Sequence, residues 1–192
     1  MKAALLVEPQ KIEIRDLPVP VPREGEVLVY GTGTIGLFYV QLAVLSGARV
    51  TAFNTSGPRL EVARELGAIE TFRSGAELEA KKGDFTIVYE TSGAADALAH
   101  IIRWSAPGAR ILLTGLPEKD SSIPAALIAR KELLIQGAMT YRDEFRAALD
   151  LLQKGEIRSD LFITNIYSLE KLPEALAGFR SPHRIKDLVR IS

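Results

Sequence analysis

The chain has 192 residues, 47% hydrophobic and 25% charged, which fits one globular domain with a substantial core and excludes a disordered polymer. Lys+Arg and Asp+Glu both number 24, so the formal net charge is zero; no basic excess points to nucleic acid and no basic run to a membrane surface. There is no cysteine, which rules out disulfides, thiolate chemistry and cysteine-ligated zinc.

The opening Met1-Lys-Ala-Ala-Leu-Leu-Val-Glu8 carries too short an apolar run for a signal peptide, and no stretch is long enough to span a membrane, so a cytoplasmic location is expected. Ala3 to Val7 and Ile12 to Arg15 read as two short strands about a turn at Pro9-Gln10. Leu17 to Pro22 holds three prolines, which remove ladder donors, and reads as an extended connector.

From Glu26 the pattern alternates strand and helix. Glu26 to Tyr30 is a strand, followed by the turn Gly31-Thr-Gly33-Thr34-Ile35-Gly36. Thr34 to Ser46 is a helix, apolar on most faces and expected to be well buried. Ala48 to Phe53 is the second strand. Pro58 to Leu66 is a helix with proline in its first turn and Gly67 just past its end. Strands follow at Ala68 to Phe72 and Asp84 to Glu90, then a helix from Asp96 to Trp104, ended by Pro107-Gly108. Arg110 to Leu116 is a fifth strand, Ile123 to Arg130 a short helix and Glu132 to Ala138 a sixth strand. Phe145, Leu149 and Leu152 give an apolar face to a helix that stops at Gly155. Strand-like Leu161 to Tyr167, a helix from Leu169 to Ala177 and strand-like Ile185 to Ile191 close the chain.

Strands that read as continuous apolar runs are buried on both faces, as in a parallel sheet covered by helices. The expected fold is therefore α/β, a doubly wound parallel six-stranded sheet of the Rossmann type, with a small β-rich annex from both chain ends. Residues 26–155 form the dinucleotide-binding unit on this reading. Residues 1–22 and 156–192 are expected to pair into a small sheet beside it.

The glycines fall at the G-x-G-x-x-G spacing, directly after a strand and before a helix. Gly31 permits the tight turn, Gly33 lets the backbone approach a pyrophosphate, and Gly36 lets helix and strand pack closely. Free N–H groups and the positive helix end then point at the anion. About 20 positions further on, at the end of the second strand, such folds read the adenine ribose, and an acid there favours NAD. This chain has Asn54-Thr55-Ser56 instead, with Arg59 shortly after. Neutral donors and a cation suit a phosphate better, so NADP is favoured over NAD, with use of both left open. The bland alternative makes Arg59 a solvated helix residue and Asn54 to Ser56 a helix cap. Thr91-Ser92-Gly93 and Gly115-Leu116-Pro117, at two further strand ends, are expected to flank the nicotinamide half, against the alternative of ordinary turn chemistry.

These segments together resemble the medium-chain dehydrogenase/reductases, the zinc alcohol and polyol dehydrogenase superfamily. The resemblance runs through Val27 to Leu37, Arg59 to Ala68, Asp84 to Gly93, Pro107 to Pro117, Lys131 to Gly137 and Ile163 to Glu170. Met1 to Glu8 and Pro18 to Leu28 are similar to the family's own amino terminus. By the resemblance, Lys186 reaches the cofactor phosphates, and Glu132 to Ala138 is the sheet edge through which members pair, which implies a homodimer. The family also implies hydride transfer between an alcohol and NAD(P) at a zinc site.

The departure from the family is large. Its amino-terminal strands lead into a catalytic domain with the zinc ligands and substrate pocket, whereas here the glycine turn begins just after residue 30. Most of the catalytic domain is expected to be absent, with residues 1–25 and 156–192 as its remnants. A catalytic zinc needs three protein ligands, and the chain offers only His100 and His183, read as surface or cap residues. No zinc and no catalytic residue are therefore expected. Tyr167-Ser-Leu-Glu-Lys171 matches the Y-x-x-x-K pair of short-chain dehydrogenases, but at a strand end, and reads as chance. Three functions stay open: an alcohol dehydrogenase by descent, a zinc-free NADPH-dependent quinone or enoyl-type reductase, and a non-catalytic dinucleotide-binding module.

Overall fold

A computed structural model of the chain describes residues 2–8, 11–16, 26–140, 144–178, 181 and 183–191. The Pro9-Gln10 turn and the Leu17 to Pro22 connector lie outside the described residues. At the amino end β1 (Lys2–Glu8) and β2 (Lys11–Asp16) pair antiparallel. The central unit runs β3 (Glu26–Tyr30), α1 (Thr34–Leu45), β4 (Arg49–Phe53), α2 (Gly57–Glu65), β5 (Glu70–Phe72), α3 (Gly75–Glu79) and β6 (Phe85–Glu90). It continues through α4 (Ala97–Trp104), β7 (Ser105–Leu113), α5 (Ala125–Lys131), β8 (Leu134–Gly137) and α6 (Phe145–Gln153). Then come β9 (Ile163–Ser168), α7 (Leu172–Ala177) and β10 (Lys186–Arg190).

The central sheet has the order β5-β4-β3-β6-β7-β8, all parallel. This is the doubly wound arrangement, in which the strand order reverses between β3 and β6 and leaves a crevice at their carboxyl ends. The order follows from burial. Val27, Leu28 and Val29 of β3 are each at most 2% exposed, so the strand must be covered on both faces, and full burial of such a side chain stabilises by roughly 1.5–3 kcal/mol. One face packs Val27 and Val29 on Leu37 and Val40 of α1 and Leu60 of α2. The other packs Leu28 and Tyr30 on Leu78 of α3 and Ile101 and Trp104 of α4.

Three elements differ from the sequence reading. The helix α3 is additional. Its start is a capping box: Ser74 Oγ accepts from the Glu77 amide at 3.4 Å, and Glu77 Oε2 accepts from the Ser74 amide at 2.9 Å. Pro107-Gly108 does not end α4, because β7 starts directly at Ser105. The ladder steps from Phe85↔Ser105 to Ile87↔Arg110, so residues 106–109 bulge out of it. Proline is tolerated there because no ladder donor is required of it, and Gly108 takes φ +73°. Thirdly, among the described residues the chain ends do not share a sheet: β1 pairs with β2, and β9 pairs with β10 in a separate parallel ladder joined through α7. Each ladder closes on its sequence neighbour, as short connections favour.

The α1 helix is less buried than its composition suggests, with Ile35, Leu42 and Leu45 54%, 40% and 51% exposed. The α6 helix is strongly amphipathic yet buries none of its residues. Among the described residues no helix is long and apolar enough to cross a membrane.

Candidate functional site

The glycine turn sits between the carboxyl ends of β3 and β6. Gly31 takes φ +102°, and a Cβ there would stand 2.8 Å from both the Ser92 amide nitrogen and Thr91 Oγ1. Only glycine meets both demands. Gly36 lies against the Gly31 carbonyl, which a Cβ would overlap. Gly33 caps α1 and faces open space, with nothing within 4 Å of a Cβ position. The N-terminal amides of α1 thus open onto an unobstructed approach, which is the geometry an anion needs.

Thr91, at the end of β6, braces the glycine turn. Its Oγ1 donates to the Gly31 carbonyl at 2.7 Å, locking the turn from across the sheet. Thr34 Oγ1 donates to the Ile185 carbonyl at 3.2 Å, which brings the segment bearing the exposed Lys186 against the start of α1.

Beside the turn is a cleft of about 390 Å³. Gly31, Asn54, Thr55 and Ser92 line it, as do Tyr30, Phe53, Arg73 and Asp96, which the sequence did not single out as cofactor contacts, and His100, weighed there only as a metal ligand. Its wall is aromatic: Tyr30 stacks on Phe53 at 4.4 Å, and His100 stacks on Trp104 at 5.2 Å. Flat apolar walls with polar groups at the rim suit a planar heteroaromatic ring. Burial, and then Asp96 and Glu90, push the Tyr30 phenol up to about 12.

Asn54 Oδ1 accepts from the Ser56 amide at 2.8 Å, and Ser56 caps α2. Arg59 lies outside the cleft lining and donates from Nη2 to the Arg184 carbonyl at 2.7 Å. On the other side of the crevice, Glu90 is 4% exposed. Its Oε1 accepts from the Ser92 amide at 2.8 Å, Ser92 Oγ at 2.5 Å and the Gly93 amide at 3.0 Å. A Cβ on Gly115 would overlap Glu90 Oε2 and the Gly93 nitrogen, while one on Gly93 would meet the Leu116 backbone. Gly93, Gly115 and Leu116 are therefore one packed junction, with Leu116 71% exposed above it and Pro117 exposed beside it. Nearby, Tyr39 and Tyr89 stack at 4.3 Å, and burial raises the pKa of both phenols.

The sequence missed Glu90 and Tyr30 because neither belongs to a glycine motif. Their signal was position, each being the last residue of a strand on either side of the switch point.

The model of the zinc-binding dehydrogenase family matches residues 34–154. An uncharacterized zinc-type alcohol dehydrogenase-like protein of Haemophilus influenzae is 31% identical over 180 residues, which cover 90% of this chain and 53% of that protein. Among solved structures, RspB of Escherichia coli CFT073, complexed with NADH, superposes with a TM-score of 0.78 at 29% identity, covering 88% of this chain and 53% of that one. A zinc-binding dehydrogenase of Sinorhizobium meliloti 1021 bound to NADP superposes with a TM-score of 0.82 at 27% identity, covering 87% and 52%. The chain belongs to the zinc-binding dehydrogenase family, within the medium-chain dehydrogenase/reductase superfamily. It spans about half the length of the relatives it matches.

A catalytic zinc takes three protein ligands and an open position. Among the described residues no three His, Asp or Glu side chains converge on a point that could hold a metal. His100 Nδ1 lies 3.9 Å from Asp96, and its ring is stacked on Trp104. The donors among the described residues do not assemble such a site, and no chemical step is assigned to a metal.

Proposed function

We propose that this chain is the NAD(P)-binding unit of an alcohol dehydrogenase-type oxidoreductase, spanning residues 26–155, with residues 1–25 and 156–192 as remnants of a catalytic domain. The observation that carries the reading is the open approach at Gly33, set at the helix start and braced by Gly31, Gly36 and Thr91. The pyrophosphate takes the amides of Gly33, Thr34 and Ile35, with Lys186 as a nearby cation. The adenosine half takes the aromatic cleft, with Asn54, Thr55 and Ser56 at its ribose end. Ser92, Gly93, Gly115, Leu116 and Pro117 border the nicotinamide half, held in place by Glu90. When bound, the nicotinamide supplies a hydride donor or acceptor. The chain's own residues bind and orient it, and on this reading none of the described ones polarises a carbonyl or takes an alcohol proton. The isolated chain therefore binds cofactor without turning over an alcohol.

NADP is the preferred cofactor on this reading, because Asn54 follows β4 at the position where an acid would repel the 2′-phosphate. Pairing of two copies through β8 is supported by its place at the sheet edge, where β7 is its one neighbour among the described residues. Calorimetric titration of the chain with NADPH and then NADH tests the reading. Binding of both, tighter for NADPH, is expected; binding of neither would leave the glycine turn as architecture alone.

A further inference from the structure

We propose that Arg73, at the carboxyl end of β5, is the residue that reads the adenosine 2′-position and sets the cofactor preference. The sequence pointed instead to Arg59. The inference rests on the dinucleotide reading of the same cleft.

Parallel pairing of β4 with β5 aligns Phe53 with Phe72, and the Asn54 amide donates to the Phe72 carbonyl at 3.2 Å. Asn54 and Arg73 are consequently the adjacent residues that leave the two strands together. A motif search along the chain looks about 20 residues past the glycines and stops at the end of β4. The neighbouring strand enters only once the strand order is known.

The Arg73 guanidinium lies over the turn from β4 into α2. Its Nη2 donates to the Thr55 carbonyl at 3.2 Å, and its Nη1 stands 3.7 Å from a Cβ position on Gly57, the first residue of α2. One of its five N–H groups is thus used to aim the fork, and Arg73 lines the cleft together with Asn54 and Thr55. A planar fork matches phosphate oxygens two at a time, which a point charge does not. Arg59, by contrast, does not line the cleft, and its Nη2 donates to the Arg184 carbonyl.

Two acids bear on the assignment. Glu77 feels the Arg73 charge, but its Oε2 is occupied by the amides of Arg73 and Ser74 in the start of α3. Asp96 lines the cleft from the start of α4, 3.9 Å from His100. Neither stands at the end of β4, the position from which a carboxylate excludes a 2′-phosphate.

The test is titration of the full chain and of Arg73→Gln, Arg73→Lys and Arg59→Gln with NADPH, NADH, 2′,5′-ADP and 5′-AMP. Arg73→Gln is expected to weaken NADPH and 2′,5′-ADP about tenfold or more, as loss of a charge-assisted pair does, and to leave NADH and 5′-AMP within about twofold. Arg73→Lys should fall between. Arg59→Gln should move all four ligands by a common factor. If Arg73→Gln shifts all four alike, or none, the inference falls while the cleft remains a dinucleotide site. If the unaltered chain binds none of them, the dinucleotide reading itself falls, and the inference with it.

Discussion

The Thr91 hydroxyl donates to the Gly31 carbonyl at 2.7 Å, joining the end of β6 to the first glycine of the turn after β3. The same hydroxyl would stand 2.8 Å from a Cβ on Gly31 and 2.9 Å from one on Gly36. One side chain therefore fixes both the path of the turn and the closeness of α1. Thr91→Val keeps the shape and removes the donor. It should cost about 1–2 kcal/mol in urea unfolding, the range for leaving a part-buried acceptor unpaired, and should weaken both dinucleotides alike, because it loosens the turn and not the ribose end.

Gly33 and Gly36 should separate architecture from binding. Alanine at Gly36 overlaps the Gly31 carbonyl, so Gly36→Ala should destabilise the fold by about 3 kcal/mol or more. Alanine at Gly33 meets nothing and suits the φ of −73° already present, so stability should stay within about 0.5 kcal/mol. Its methyl nonetheless enters the approach to the α1 amides, and NADPH affinity should fall about tenfold or more. Parallel melting curves and titrations on the two variants read this directly. Loss of stability without loss of affinity in Gly33→Ala would sink the pyrophosphate assignment.

What the sequence made legible was local. The glycine spacing, the apolar runs of β3, β4 and β6, and the proline and glycine bounding α2 all act within a few residues, and the sheet of six parallel strands followed from them. The Ser74-Gly-Ala-Glu77 capping box was equally local and marks α3, but its helix is a single short turn with little periodicity. Residues 106–109 could not be read as a bulge, because their conformation is set by the register of β7 on β6. The Arg59 and Arg73 pair is of the same kind: Arg59 is drawn off by a carbonyl 125 residues away, and Arg73 gains its place from a neighbouring strand.

The open edge of β8 gives a third prediction. Leu134 is 52% exposed on a four-residue strand whose outer edge carries no partner among the described residues. If two copies pair there, light scattering at micromolar concentration should give twice the chain mass. Leu134→Lys should return it to the single mass while unfolding shifts by no more than about 0.5 kcal/mol, since a lysine on an edge strand discourages pairing at little cost to a surface position. A chain already of single mass would remove the dimer from the proposal.

The Tyr30 phenol links the cleft to the pH dependence of stability. It is 6% exposed, stacked on Phe53, and its pKa is raised from 10.0 to about 12, chiefly by burial and then by Asp96 and Glu90. The folded state thus holds the phenolic proton more tightly than the unfolded chain. The stability this contributes is complete below pH 10 and is lost as pH climbs toward about 12. Tyr39 and Tyr89 are shifted in the same direction, so the alkaline limb is shared among three phenols. Tyr30→Phe removes one titration and keeps the stack. Urea midpoints followed through that window should fall less steeply in the variant than in the parent chain, with Tyr39 and Tyr89 sustaining the remaining slope. Equal slopes would mean that the phenolate reaches solvent at the cleft mouth and that burial does not hold the proton.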